Sequence, residues 1–168
     1  MKTILTRCKT LVSNNAVAGG TLQYVKDTEV IHPEIALTAI TIASLPKICF
    51  VPVSTVEEWV ASGRKQATNI VDAHLILMYH QRESSIMGDS SRPNGQGAGI
   101  VDFVADFISV FRGTRFSTGG SEYLSKPLDI NGVEYTVQDL EETGQLLLAT
   151  VTMECVKLLD QFTLPGNI

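Results

Sequence analysis

The sequence predicts an α+β fold, one mostly antiparallel sheet with two helices packed on one face. Three observations carry that expectation. Residues 4–12 and 100–111 repeat their apolar side chains at the three-and-four spacing of a helix. Residues 70–83 and 145–158 alternate apolar and polar positions at the period of a strand. The order helix, strands, helix, strands lacks the regular alternation of a doubly wound parallel sheet. At 168 residues the chain falls within the span of one domain, taken here as 1–168.

Ile4, Leu5, Cys8, Leu11 and Val12 form the stripe of a short amphipathic helix, which Asn14-Asn15 and then Gly19-Gly20 end. Residues 22–31 are β-prone and run into Pro33. Residues 35–42 are rich in β-branched side chains and read equally well as strand or short helix. Residues 45–54 form an apolar strand bracketed by Pro46 and Pro52. Proline cannot donate to a ladder, so the strand is expected at an edge or cut short. Residues 54–69 are polar apart from Val56, Trp59, Val60 and Ala61, and are expected to form a loop with one helical turn.

In the clear strand 70–83, Val71, Ala73, Leu75, Leu77 and Tyr79 fall on the core face, with Asp72, His74, Ile76, Met78 and His80 opposite. Residues 84–99 then shift abruptly to Ser, Gly, Asp, Asn and Pro, the composition of a long flexible loop. Loops of that length in compact domains are usually functional or disordered, which makes this one the candidate interaction arm. Ile100, Phe103, Val104, Phe107, Ile108 and Phe111 next build an aromatic helical stripe that ends at Gly113. Residues 116–120 and 128–137 read as strand and turn, with Asn131-Gly132 as a tight hairpin signal. Leu147, Ala149, Val151, Met153 and Cys155 mark the inward face of a closing strand.

The composition is 44% hydrophobic and 18% charged, with a mean hydropathy of +0.14. So little charge leaves apolar surface to hide, and self-association is one way to hide it. A net charge of -5 and a pI near 5.1 argue against tight nucleic-acid binding, which needs clustered cations. Arg64-Lys65 is the nearest approach to such a cluster. A mildly acidic surface is nevertheless compatible with surrounding a duplex that slides past. Cys8, Cys49 and Cys155 lie far apart among apolar neighbours, as buried thiols do in a reducing compartment. Neither the apolar core of a signal peptide nor ~18 uninterrupted apolar residues is present, so the expectation is a soluble, cytoplasmic protein with no membrane association.

No catalytic or metal signature stands out, and no cofactor is expected. His74 and His80 are six residues apart, roughly 20 Å along a strand, too far to share an ion. Asp72 with His74 supplies two ligands, which do not make a site, and His32 offers no motif. Gly95-Gln96-Gly97-Ala98-Gly99 has neither the dinucleotide spacing nor the Lys of a phosphate loop, and is expected to serve as a hinge into the helix. Gly88-Asp89-Ser90 and Gly120-Ser121-Glu122 lack the second glycine of a nucleophile elbow. Glu57-Glu58, Asp139 and Glu141-Glu142 are expected to be solvated loop carboxylates.

The helix at the start, the proline-led strand Leu45-Pro46-Lys47-Ile48-Cys49-Phe50-Val51-Pro52, the polar excursion, the strand 69–82, the long loop, the helix Ile100–Phe111 and the final strand 145–157 together resemble the tail terminator (tail completion) proteins of long-tailed bacteriophages. The likeness is one of pattern over nearly the whole chain, and residues 31–43 and 114–126 depart from the simplest members. The resemblance implies a non-enzymatic virion protein, assembled in the host cytoplasm and located at the tail-neck junction. It implies a hexameric ring of this chain that caps the tail tube, stops its polymerisation and meets the head connector, with DNA passing through the bore unbound. The partners implied are further copies of the chain, the tail tube protein and a connector or neck protein. Arg82, Glu83, Met87, Asp89, Arg92 and Asn94 of the arm, with Trp59 and Arg64, are the candidate contact residues, Trp59 reading equally well as core. The alternatives are another neck component, such as a head-completion or stopper protein, then a small enzyme using Asp72 and His74, or a monomeric binding module.

Overall fold

The computed structural model describes residues 1–31, 41–60, 64–80, 83–88, 98–117, 123–140 and 144–159. Apolar spacing turns into helices where the sequence has it. Helix α1 spans Lys2–Asn15 and buries Ile4, Leu5, Cys8 and Val12. Strand β1 is Asp27–Val30, β2 is Lys47–Val60 and β3 is Arg64–Tyr79, with a 3-10 turn at Ile42–Ser44 before β2. A five-residue helix, α2 (Glu83–Met87), precedes the aromatic helix α3 (Ile100–Phe111). Strands β4 (Asp129–Leu140) and β5 (Gly144–Leu159) close the described chain.

The strands form one sheet in the order β1-β2-β3-β5-β4, antiparallel except for the short β1-β2 pair. Helices α1 and α3 lie on one face, so the fold is α+β as the sequence predicts. The core between them joins Ile4, Cys8, Phe103, Phe107 and Phe111 to the inward residues Phe50, Val71, Ala73, Leu75, Val151 and Met153. Phe107 and Phe111 stack at 4.2 Å between ring centroids, and Phe50 meets both. Tyr24 ties the segment after α1 to α3, its hydroxyl donating to Asp106 at 2.9 Å while its ring packs edge-on against Phe103. Phe116 and Leu124 contribute to the same core. Leu124 is buried, and the Tyr123 ring lies between Arg7 and Lys157 at 4.3 and 4.4 Å.

Several expectations are corrected. Residues 54–69 are not a loop: β2 runs on to Val60 and β3 begins at Arg64, paired residue for residue from Ser54↔Ile70 to Val60↔Arg64. The segment is polar because the β2 half of this hairpin is exposed on both faces, which erases the alternation that a covered strand shows. Pro52 does not shorten β2. It falls where β1 has ended, at an irregularity between Pro52 and Ser54, and there the missing N–H is harmless. Asn131-Gly132 is not a turn. Ile130 pairs with Met153 and Gly132 with Thr152, leaving Asn131 as the extra residue of a bulge within β4. Phe116 is not in a strand; it has φ +50° and is buried in the core, and residues 118–120 lie outside the described residues.

On the face without helices, Ile76 is fully buried, joined by Leu45, Cys49, Leu146 and Leu148 in a second, smaller cluster. That face is therefore apolar at one end. The arm 84–99 begins as helix rather than loop, since Ser84 to Met87 belong to α2. Residues 89–97 lie outside the described residues, as do 35–40, where strand or helix was left open.

Candidate interaction surface

The sheet positions two groups of the contact residues expected from sequence. Trp59 lies next to the end of β2, on the helix-side face in register with Lys65, and is 71% exposed. It is surface and not core. The Lys65 ammonium sits 5.3 Å from the Trp59 ring centre and 3.6 Å from Glu57, so Glu57 is a strand carboxylate rather than a loop one. Arg64 opens β3 opposite Val60, exposed and without an ion pair among the described residues. Val53 and Val56 are also exposed on β2, and Glu57, Glu58, Arg64 and Lys65 give this hairpin two charges of each sign.

The second group is on α2. Glu83 is its first residue and exposed, and Met87 is its last and 60% exposed beside half-exposed Ile86. The Ser85 hydroxyl accepts a hydrogen bond from the His80 amide at 3.2 Å, which fastens α2 just past the end of β3. Arg82, Asp89, Arg92 and Asn94 lie outside the described residues. Trp59 with Arg64 and Glu83 with Met87 are thus at opposite ends of β3. Fifteen residue steps separate Arg64 from Tyr79, roughly 50 Å along the strand. The structure brings together the members of each group and keeps the two groups apart.

Sequence reasoning missed two features. One is the face of β4, where Tyr135 and Val137 are half exposed at 49% and 50%. Its signal was the alternation after Asn131-Gly132, hidden by reading that pair as a turn. The other is Lys47, buried within an apolar run, whose ammonium holds Asp27 and Glu29 of β1 at 2.9 Å each. Burial pulls Lys47 down, but the hydrogen bonds it donates to Asp27 and Glu29 outweigh it and hold its pKa above the ordinary value. The same Lys47 hydrogen bond keeps the Asp27 carboxyl below its own, against the opposing effect of burial.

Asp72 accepts from the Thr152 hydroxyl at 2.7 Å, and His74 Nδ1 is buried without a hydrogen-bond partner. Burial lowers the His74 pKa against the pull of Asp72, favouring a neutral ring. His80 lies exposed beyond the strand. Among the described residues no group of three or more His, Cys, Asp or Glu could hold a metal ion. All three cysteines are free and buried; burial pushes Cys49 and Cys155 up to about 12 and raises Cys8 as well. No helix among the described residues is long and apolar enough to cross a membrane.

No protein-family model matches the chain, and no curated protein matches it. Among solved structures, a chain described as "Virion of native gene transfer agent (GTA) particle" shares its fold, with a TM-score of 0.52 and 10% sequence identity. The likeness covers 91% of this chain and 93% of that one, so it is a likeness of the whole subunit rather than of a fragment.

Proposed function

We propose that this chain is a structural protein of a phage-like virion, and that it works as a tail terminator. The observation that carries the reading is the fold shared, over nearly the full length of both chains, with a component of a gene transfer agent virion. Fold alone does not define function, so the surface has to agree with it. It does so where Trp59 and Val56 on β2 and Tyr135 and Val137 on the outermost strand β4 are exposed, within reach of neighbouring subunits.

In this reading copies of the chain close into a ring, and the hexamer that the resemblance implies is the mass to look for first. The ring matches the exposed subunit contacts at the end of a tail tube, presents a different surface on its far side to the connector, and so ends growth. DNA passes through the bore without being gripped, in keeping with a net charge of -5. The protein is non-enzymatic in this role and resides at the tail-neck junction.

The test is the solution mass of the purified protein, alone and with tail tubes from the particle that carries it, followed by imaging of the tubes. The expected outcome is a closed ring at one tube end. Rings that bind the head connector and ignore the tube end would assign the chain to another neck role. A protein that stays at 18.2 kDa in both conditions contradicts the assembly reading.

A further inference from the structure

Charge is divided between the two sides of the sheet. Residues 1–26, which hold α1 and its connection to β1, contain Lys2, Arg7, Lys9 and Lys26 and no carboxylate. Helix α1 buries Ile4, Leu5, Cys8 and Val12, and leaves Lys2, Thr6, Thr10 and Ser13 exposed. Lys9 is half-exposed and lies on the same side as Lys2, two turns further on. The first carboxylate in the chain, Asp27, lies near Lys9 but is held by Lys47 at 2.9 Å. The carboxylates of the helix layer, Asp102 and Asp106, are on α3, and Asp106 accepts from the Tyr24 hydroxyl. Among the described residues Lys2, Lys9 and Lys26 make no ion pair.

The helix-free face is the reverse. The register gathers Asp72, Asp129, Glu134 and Glu154 there, in a patch roughly 10 by 14 Å judged from strand and residue spacings. Asp129 and Glu154 fall directly opposite each other, an unfavourable pairing of like charges. None of the four makes an ion pair among the described residues. The strand cations of this face lie outside the patch, Lys47 held by Asp27 and Glu29 and Arg64 at the hairpin end.

Building on the ring reading, we infer that α1 of one copy lies across the helix-free face of β3, β5 and β4 of the next, with Lys2 and Lys9 against Asp129, Glu134 and Glu154. The two surfaces are on opposite sides of one sheet, so the contact is made between chains. Unpaired cations on one side and unpaired carboxylates on the other select this pairing. Two copies that present the same surface to each other set like charges together, which is repelled. Thr6, Thr10 and Ser13 on the outward side of α1 are short, so few long side chains have to be ordered on contact. A contact between two different surfaces of one chain is the heterologous kind that generates a ring when the rotation closes.

Reversing the signs tests this. One variant carries Lys2→Glu with Lys9→Glu, a second Asp129→Lys with Glu134→Lys, and a third all four changes. Each is weighed in solution under whichever condition makes the unmodified protein a ring. The first and second should each fall to the mass of one chain, 18.2 kDa. The third should form the ring again, because both sides of the contact have changed sign. A ring that persists in the first or second variant, or a folded third variant that stays at the mass of one chain, overturns the contact and leaves the ring reading intact. Should such a persisting ring fail to cap tail tubes, the reversed surface faces the tube instead of a second copy. An unmodified protein that forms no ring, alone or with tubes, overturns both. Far-ultraviolet circular dichroism checks folding; should Lys9→Glu disturb Asp27 and unfold the chain, Lys2→Glu with Thr6→Glu carries the same comparison.

Discussion

Lys47 shows how much a single side chain decides on the edge of this sheet. Its side chain is almost wholly buried, while Asp27 and Glu29 keep over two-fifths of their side-chain surface exposed. The asymmetry sets the outcome of mutation. Replacing Asp27 and Glu29 with Asn and Gln leaves a buried cation without a counter-charge and should cost about 3 kcal/mol. Lys47→Met leaves two carboxylates that water can reach and should cost less than about 1 kcal/mol. Urea denaturation of the two variants checks the order. The pH dependence follows from the same contacts. Asp27 has a folded pKa below its unfolded one, so its contribution is present above the ordinary carboxylate range and is lost as pH falls through the folded value. Lys47 has a raised pKa, so its contribution is present below the ordinary lysine range and is lost as pH rises through the folded value. Amide exchange at Asp27–Val30 should therefore be slowest at neutral pH and quicken in acid and in strong alkali. In the core, Phe107→Ala removes a ring that is fully buried against Phe50 and Phe111, and should cost about 3–5 kcal/mol by the same denaturation measurement.

Among the elements, those whose apolar pattern matches their burial were legible before the structure. Helix α3 and strand β5 fall within a residue or two of their expected bounds, because Phe103, Phe107 and Phe111 and then Leu147 to Cys155 all point into one core. The β2-β3 hairpin was not legible. Residues 54–60 face water on both sides, so nothing in their polarity distinguishes strand from loop; only the partner strand Arg64–Tyr79 makes them a strand. Asn131-Gly132 misled for a related reason: its turn chemistry suits a bulge equally well, and long-range pairing with β5 chose between them. Of the candidate contact residues, Trp59 and Arg64 were brought together by that unseen hairpin, whereas Glu83 and Met87 were carried to the far end of β3. Helix α2 depends on a glycine. A Cβ at Gly99 would strike the Ile86 carbonyl and the Gly88 amide nitrogen, both backbone. Gly99→Ala should therefore lift α2 off α3 at a cost of about 2 kcal/mol, seen as faster proteolysis and faster amide exchange within Glu83–Met87.

For the molecule as a whole, charge and shape act together. An excess of five acidic groups leaves the protein without the clustered cations that phosphate neutralisation demands. The purified protein should leave duplex DNA unshifted in a native gel at about 0.15 M salt, where each absent phosphate contact counts. The helix layer covers one face of the sheet, and the exposed end of the β2-β3 hairpin lies outside the buried core. Trp59 is 71% exposed, so Trp59→Ala should leave the unfolding free energy of the single chain, measured in urea, within about 0.5 kcal/mol of the unmodified protein. The close approach of Gly99 to Gly88 adds a practical consequence. Gly88 and Gly99 are held side by side, so the stretch that joins them starts and ends at one point. A short peptide epitope grafted between residues 89 and 97 should be tolerated, because closing a longer loop adds only a logarithmic entropy cost. Each copy would then carry one label next to Gly88, and in the proposed assembly counting labels would count subunits.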